Sequence, residues 1–364
     1  MTALKRALAA TAAVALGVAG IACLGGVSKA AEKLKVAWIY LGPVTDGGWN
    51  SAHYAGQLAV EKEFGDRVQT MKVENVPESA DAERVETQLA QQGAKLIFAT
   101  SFGYMDPTLK TAKAFPKVKF EHCCGYKMAP NMGIYNIRFY QARTEFGTLA
   151  GMLTKTGIVG YIASVPIPEV IMGIDAFALA MRKVRPDAKI KVVWVNDWYN
   201  PGKEADAAKA LMDQGADIIT QHTDSPAGVQ AAEARGVYSF GEASDMQKFG
   251  PTHLVTSLVD NWSVFYTANV KAVLDGTWKA ENDWWGLEKN ALIIPDVNKN
   301  LPEVIQKKGN EIREELRSGK IKPFAGPIYD QSGKEIIPAG KELTDEQIDS
   351  INYYVQGVEG EIPH

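Results

Sequence analysis

The chain is predicted to be an α/β protein built from two consecutive parallel-sheet lobes. Three observations carry this. Short runs rich in Val, Ile and aromatics alternate with amphipathic stretches of helical period. That alternation implies βαβ units and a parallel sheet. The pattern runs once to Leu153 and restarts at Gly157. Gly, Pro and large aromatic residues collect in the loops that follow strands, where open α/β sheets bind ligands.

In order, the first lobe reads as strand Leu34–Tyr40, helix Asn50–Phe64, strand Val68–Val73, helix Ala80–Gln92 and strand Leu96–Thr100. Helix Tyr104–Ala114, strand Val118–Cys123, strand Met132–Arg138 and helix Ala142–Leu153 follow. The second round reads as strand Gly157–Ala163, helix Pro168–Val184 and strand Ile190–Val195. Helix Pro201–Gln214 opens on a Pro pre-set for a first turn. Strand Ile218–Gln221, helix Pro226–Arg235, strands Val237–Phe240 and His253–Leu258, and helix Trp262–Leu274 complete it. The tail is predicted to hold a charged helix at Leu301–Arg317, a hairpin turning at Asp330–Gly333, and a helix at Thr344–Tyr354. The two rounds share architecture but no sequence repeat.

The N-terminus has the three-part layout of a secretory signal: Lys5 and Arg6, an uncharged Ala-rich run to Leu24, and Ser28-Lys29-Ala30 as a cut site. Gly20-Ile-Ala-Cys23 offers an alternative, a lipid anchor at Cys23. Cleavage after Ala30 would leave 334 residues, enough for two lobes. The whole chain has 39 Lys and Arg against 43 Asp and Glu; three cations and no acids lie before Ala31, so the remainder carries a net charge of −7. An acidic chain lacks the basic footprint of a nucleic-acid binder. After Ala30 the only cysteines are the adjacent Cys123 and Cys124, too close for an unstrained bridge.

The most informative segment is Val36–Asn50, an apolar strand running through a loop with Gly42, Pro43, Gly47 and Gly48 into a helix. Trp49 stands at the helix mouth, with Asp46 and Asn50 beside it. Trp198 and Tyr199 occupy the corresponding loop after Ile190–Val195, and Phe102 and Gly103 follow Leu96–Thr100. Glu242 and Asp245 lie on a loop beyond Val237–Phe240, and Tyr140 is placed towards the hinge. Trp38 and Trp194 fall within strands and read as core; Trp284 and Trp285 read as packing for a lobe-crossing segment. The five histidines form no pair at ligand spacing, so no metal and no cofactor are expected. No nucleophile elbow, phosphate loop or dinucleotide fingerprint appears, and no catalytic residues are assigned.

Asp46-Gly-Gly-Trp-Asn50, Glu145-Phe-Gly-Thr-Leu-Ala-Gly151, Gly215-Ala-Asp-Ile-Ile219, Gly326–Gly333 and Val355–Pro363, in that order, resemble the basic membrane protein family of ABC-importer substrate-binding proteins, which includes purine-nucleoside receptors. The resemblance implies a type I periplasmic-binding-protein fold, two Rossmann-like lobes joined by a hinge of several crossovers. It implies a signal peptide at 1–30, a first lobe of 31–140 with 260–283, and a second of 141–259 with 284–364. It places Trp49 and Trp198 at the family's two ring positions, one per lobe, with Asp46, Asn50, Glu242 and Asp245 able to read a ring's edge.

Nucleoside-binding members usually carry a Lys where this chain has Ser257-Leu-Val-Asp260-Asn-Trp262. The expectation is therefore a periplasmic, monomeric, non-enzymatic receptor that takes a purine-like heterocycle, a nucleobase before a nucleoside, and delivers it to an ABC permease. A sugar receptor on the same fold and an exported α/β hydrolase are the alternatives.

Overall fold

The computed structural model describes residues 32–363; the signal segment and Cys23 lie outside the described residues. In the first lobe the chain runs β1 (Leu34–Ile39), α1 (Trp49–Phe64), β2 (Val68–Val73), α2 (Ala80–Gln91), β3 (Leu96–Ala99), α3 (Met105–Ala114), β4 (Lys119–Cys123) and β5 (Met132–Ile137). The second lobe follows with α4 (Phe139–Leu153), β6 (Ile158–Ala163), α5 (Pro168–Val184), β7 (Lys189–Trp194), α6 (Pro201–Asp213), β8 (Ile218–His222), α7 (Ala227–Ala234), β9 (Tyr238–Gly241) and β10 (Leu254–Ser257). The remainder is β11 (Val259–Asp260), α8 (Trp262–Asp275), β12 (Asn282–Trp285), β13 (Leu292–Ile293), α9 (Glu303–Arg317), β14 (Ile328–Tyr329), β15 (Glu335–Ile337), α10 (Asp345–Ile348) and β16 (Val358–Glu359).

The first sheet is parallel throughout, in the order β12-β5-β4-β3-β1-β2. Both faces of β1 are covered. Val36 and Trp38 join the core that contains α1 and α8, while Ala37 and Ile39 join the one built on α2. Period-2 alternation within an unbroken apolar run is what a strand buried on both faces requires. The second sheet is also parallel, in the order β10-β9-β8-β6-β7-β16. Strand order reverses within each sheet, which opens a crevice at the carboxyl ends of the strands.

The chain passes between lobes after β5, after β10 and after β12. α4 packs on α5 at close range, because Gly147 faces the Phe177 carbonyl; a Cβ there would sit 2.2 Å from that oxygen. The tail clamps the hinge: Arg138 donates Nη1 and Nη2 to the two Asp345 oxygens at 2.7 and 2.5 Å. α9 is pinned to α4 by Arg313, which donates to both oxygens of buried Glu145 at 3.2 and 2.9 Å.

Predicted elements and observed ones differ mainly in the tail. The helix expected over Thr344–Tyr354 is a single turn, Asp345–Ile348, opened by a capping box at Thr344. It ends early because the following chain is committed elsewhere: Val355 N–H donates to buried Asp175 at 3.0 Å and bridges to Asp330. Trp284 and Trp285 lie on an edge strand of the first sheet, paired with β5.

Buried carboxyls without full partners carry a measurable consequence. Glu86 sits on the buried face of α2, with one oxygen accepting from Thr108 at 2.6 Å and the other unpaired. Burial pushes its pKa up to about 8. The native state then binds a proton more readily than the unfolded chain, so this group lowers stability as pH rises from its ordinary range to about 8. Glu86→Gln removes that slope. Melting curves at pH 5 and pH 8 should show similar midpoints for both proteins at pH 5 and a higher one for the variant at pH 8.

Candidate ligand-binding site

The loop into α1 is organised by Asp46. Its carboxylate accepts backbone N–H groups from Gly48, Asn50 and Ser51 at 2.9–3.0 Å, and the Asn50 amide and Ser51 hydroxyl at 2.8 Å each. An acid at a helix start satisfies orphan donors and complements the dipole. This holds Trp49 at the mouth of the helix. The indole N–H then donates to the Thr100 carbonyl at 2.7 Å, and the ring stands edge-on to His53 and Trp262 at centroid distances of 4.6 and 5.4 Å. Behind it His53 stacks on Trp262 at 4.3 Å and meets the Tyr266 hydroxyl at 2.6 Å. Burial drives the His53 pKa well below its ordinary value, which keeps the ring neutral.

The second lobe contributes charge. Arg143, fully buried on α4, pairs with Glu242 and donates to Thr220 Oγ1 at 3.2 Å. His222 Nε2, at the end of β8, lies 3.7 Å from both Glu242 and Glu169. Glu169, in the first turn of α5, accepts from Asn136 of the first lobe at 3.0 Å. Burial raises the Glu242 carboxyl, opposed by Arg143. It raises Asp224 and Asp260 well above the usual carboxylate range, and neighbouring acids push the same way. A carboxyl so held is pressed toward its neutral form, which offers one O–H donor besides its acceptors.

Between the lobes lies a narrow cavity, lined by Leu41, Trp49, Ser101, Phe102 and Cys124 from one side and Glu169, Trp198, His222, Asp224 and Glu242 from the other. It combines apolar and aromatic walls with convergent polar groups, as small-molecule sites do. The lobes meet at its rim. Ser244 donates its hydroxyl to the Gly47 carbonyl, and Gly48 lies so near the Asp224 backbone that a Cβ would be 2.1 Å from that carbonyl oxygen.

Of the residues expected from sequence, Trp49, Phe102, Trp198 and Glu242 line this cavity. Asn50 and Tyr199 line an adjoining recess with Trp198. Asp46 is buried and its carboxylate is already engaged by the α1 loop. Gly103 turns its N–H to Glu78 at 2.8 Å, and Asp245 is exposed, accepting from Gln247 N–H at 3.0 Å. Tyr140 points to the outer side of the hinge, where its hydroxyl accepts from Arg138 at 2.6 Å and its ring meets Trp284 and Phe324. Glu169, His222, Asp224, Ser101 and Cys124 were not expected. For Asp224 a position just past a strand end was the available signal; Glu169 is brought in only by the α4–α5 approach.

Residues 33–325 match the Bmp family, ABC transporter substrate-binding protein PnrA-like. The chain belongs to this family. It is 51% identical to a purine-binding protein of Brucella abortus (strain 2308), over 93% of this chain and 97% of that one. It is 35% identical, over 93% of this chain and 84% of the relative, to a Haloferax volcanii ABC transporter protein named for glucose binding. Among solved structures, a solute-binding protein of an ABC transporter system from Conexibacter woesei superposes with a TM-score of 0.63 at 24% identity, covering 79% of this chain and 97% of that one. The two parallel-sheet lobes are those of type I periplasmic binding proteins. This PnrA-like protein is thus an ABC substrate-binding protein, and no described helix is long and apolar enough to cross a membrane.

The rim contact gives a test of lobe approach. Gly48→Val places side-chain atoms against the Asp224 backbone. The variant is expected to keep its circular dichroism spectrum while small-angle scattering reports a larger radius of gyration than the unsubstituted protein.

Proposed function

We propose that this protein is an exported, monomeric receptor that captures a purine-like heterocycle between Trp49 and Trp198 and presents it to an ABC permease, with no chemistry on the ligand. The observation that carries the reading is the interlobe cavity, in which three aromatic residues converge with Glu169, His222, Asp224 and Glu242. A flat heterocycle suits such walls. Aromatic contacts contribute about 0.5–1.5 kcal/mol each beyond area burial. Carboxyl and imidazole groups at the edge can accept from ring N–H and amino groups or, when protonated, donate to ring nitrogens.

The purine class is supported by the Brucella relative's name. A free base is favoured over a nucleoside on one ground. The Lys that nucleoside receptors carry near residue 260 is replaced by Asp260 and Trp262, both buried. A sugar is the second reading, on the strength of the glucose-named relative. Asp46, Asn50 and Tyr199 then act by shaping the Trp49 and Trp198 loops. Gly103, Tyr140 and Asp245 lie outside the cavity wall and are left out of this reading.

A thermal-shift screen against nucleobases, nucleosides, sugars and amino acids tests the class, since a ligand of the folded state raises the melting temperature. Purine bases should give the largest shifts. A larger shift with guanosine or inosine would overturn the base preference, and one with glucose would favour the second reading. Trp49→Ala should then weaken the best ligand roughly a hundredfold, because it removes both ring area and face contact. Unchanged affinity by calorimetric titration would retire the ring clamp.

A further inference from the structure

We propose that Cys123 and Cys124 are a reversible thiol–disulfide site in the wall of the ligand cavity, and that their oxidation to a vicinal disulfide weakens ligand binding. Three features on different elements converge on this pair.

The first is proximity. The two Sγ atoms lie 2.9 Å apart. Cys124 adopts a left-handed backbone, φ +65°, uncommon for a residue with a side chain. Such a conformation persists only where the surroundings hold it; here Cys124 N–H donates to the Tyr135 carbonyl at 2.8 Å. The second is access. Cys123 is buried at the end of β4, whereas Cys124 is half-buried and borders both the ligand cavity and a wider recess open to solvent beside Tyr126 and Trp284. One cysteine can therefore be reached from outside and the other can resolve. The third is a connection across the cleft. Cys124 donates its S–H to Asn136 Oδ1 at 3.5 Å, and the Asn136 amide donates to Glu169 of the second lobe at 3.0 Å.

The chemistry is thiol–disulfide exchange with a small exogenous disulfide. The Cys124 thiolate attacks one sulfur of R–S–S–R, forming a mixed disulfide and expelling R–S⁻. The Cys123 thiolate then attacks Cys124 Sγ, closing the Cys123–Cys124 bond and expelling the second R–S⁻. Two protein thiols are oxidised, one disulfide is reduced to two thiols, and the two protons end on them. Neighbouring Cα atoms are about 3.8 Å apart, below the usual 4.4–6.8 Å of a bridged pair, so the ring is strained and readily reduced again. Burial raises the Cys123 thiol to about 11 and Cys124 well above its ordinary value, so exchange should quicken as pH rises. An exported protein meets an oxidising compartment where such a bond can form.

Ring closure takes the S–H donor from Asn136 and draws Sγ toward Cys123. Asn136 Oδ1 keeps the Ile137 N–H at 2.7 Å, so ring closure removes one of two anchors on the amide that ties the lobes through Glu169. Weakening this interlobe contact is expected to cost about tenfold in affinity.

The test starts from the full chain reduced with a phosphine, treated with oxidised glutathione, then alkylated and digested with trypsin. Peptide Phe120–Lys127 carries both cysteines and no others. Expected is an unalkylated peptide lighter by two hydrogens, returned to the doubly alkylated form by dithiothreitol. In Cys123→Ser, glutathione should instead remain on Cys124. Doubly alkylated or doubly glutathionylated peptide from the unsubstituted protein would overturn the proposal. This arm needs no ligand, so it stands whatever becomes of the purine reading. The affinity arm rests on that reading: the best base from the screen, titrated into oxidised and reduced protein, should bind about tenfold more weakly to the oxidised form. Equal affinities would overturn the coupling to the cavity.

Discussion

The interlobe site depends on one buried cation. Arg143 is wholly enclosed, with its guanidinium over Tyr161 at 5.4 Å and Phe146 at 5.9 Å. A charge in that position is tolerated only when paired and hydrogen-bonded, and Glu242 and Thr220 supply the partners. Glu242 is thereby fixed in the cavity wall, with His222 beside it and Glu169 beyond. Gly147 stands one turn along α4 from Arg143, on the same face. Its missing Cβ admits α5, and α5 carries Glu169. The helix pair therefore does two things with two residues. Arg143 anchors the charge, and Gly147 sets the distance at which the next acid arrives.

The first lobe is built on the opposite principle. Behind Trp49 lies a block of His53, Tyr135, Trp262, Phe265 and Tyr266, in which rings alternate between stacked and edge-on contacts. A His53–Tyr266–Tyr135 chain at 2.6 and 3.0 Å pairs three of the block's polar atoms, while His53 Nε2 and Trp262 Nε1 have no partner among the described residues. The block holds Trp49 by its edges and leaves the ring to border the cleft. Flat apolar surface thus comes from one lobe and most of the directional polar groups from the other. Neither half has the character of a binding site until the two face each other.

That division explains what could be read from the sequence. Strands buried on both faces announce themselves as apolar runs, and their ends were legible to within a residue or two. Asn282–Trp285 was not legible as a strand, because an edge strand of Asn, Asp and two Trp has no strand pattern of its own and is defined by pairing with β5. The same holds for two-residue β16, which exists because the tail is laid beside β7. In the site, residues on loops directly after strands were legible, since the fold class itself puts such loops at the crevice; Trp49, Phe102, Trp198 and Glu242 are of this kind. Asp46 was singled out for the right loop, but local hydrogen bonding takes up its carboxylate, a competition that sequence spacing alone does not resolve. Glu169 depends on α4–α5 packing and on a crossover, so no local pattern points to it.

The arrangement also suggests why ligand and closure belong together. Asp224, Glu242 and Asp260 are buried with the lobes in this arrangement, and burial pushes each carboxyl toward its neutral form. Both Asp260 oxygens are without a protein partner, as are His222 Nδ1 and Arg143 Nε. An unpartnered buried polar group costs about 1–3 kcal/mol, so His222 in the cavity wall, and Asp260 and Arg143 outside it, weigh against the arrangement without ligand. A ligand that supplies donors to the carboxyls offsets that penalty only in the closed state, because in the open state water already serves them. Differential affinity of this kind is what shifts a two-state equilibrium. On the proposed function the acids would thus act twice, selecting a ligand by its hydrogen-bonding edge and making closure conditional on its presence.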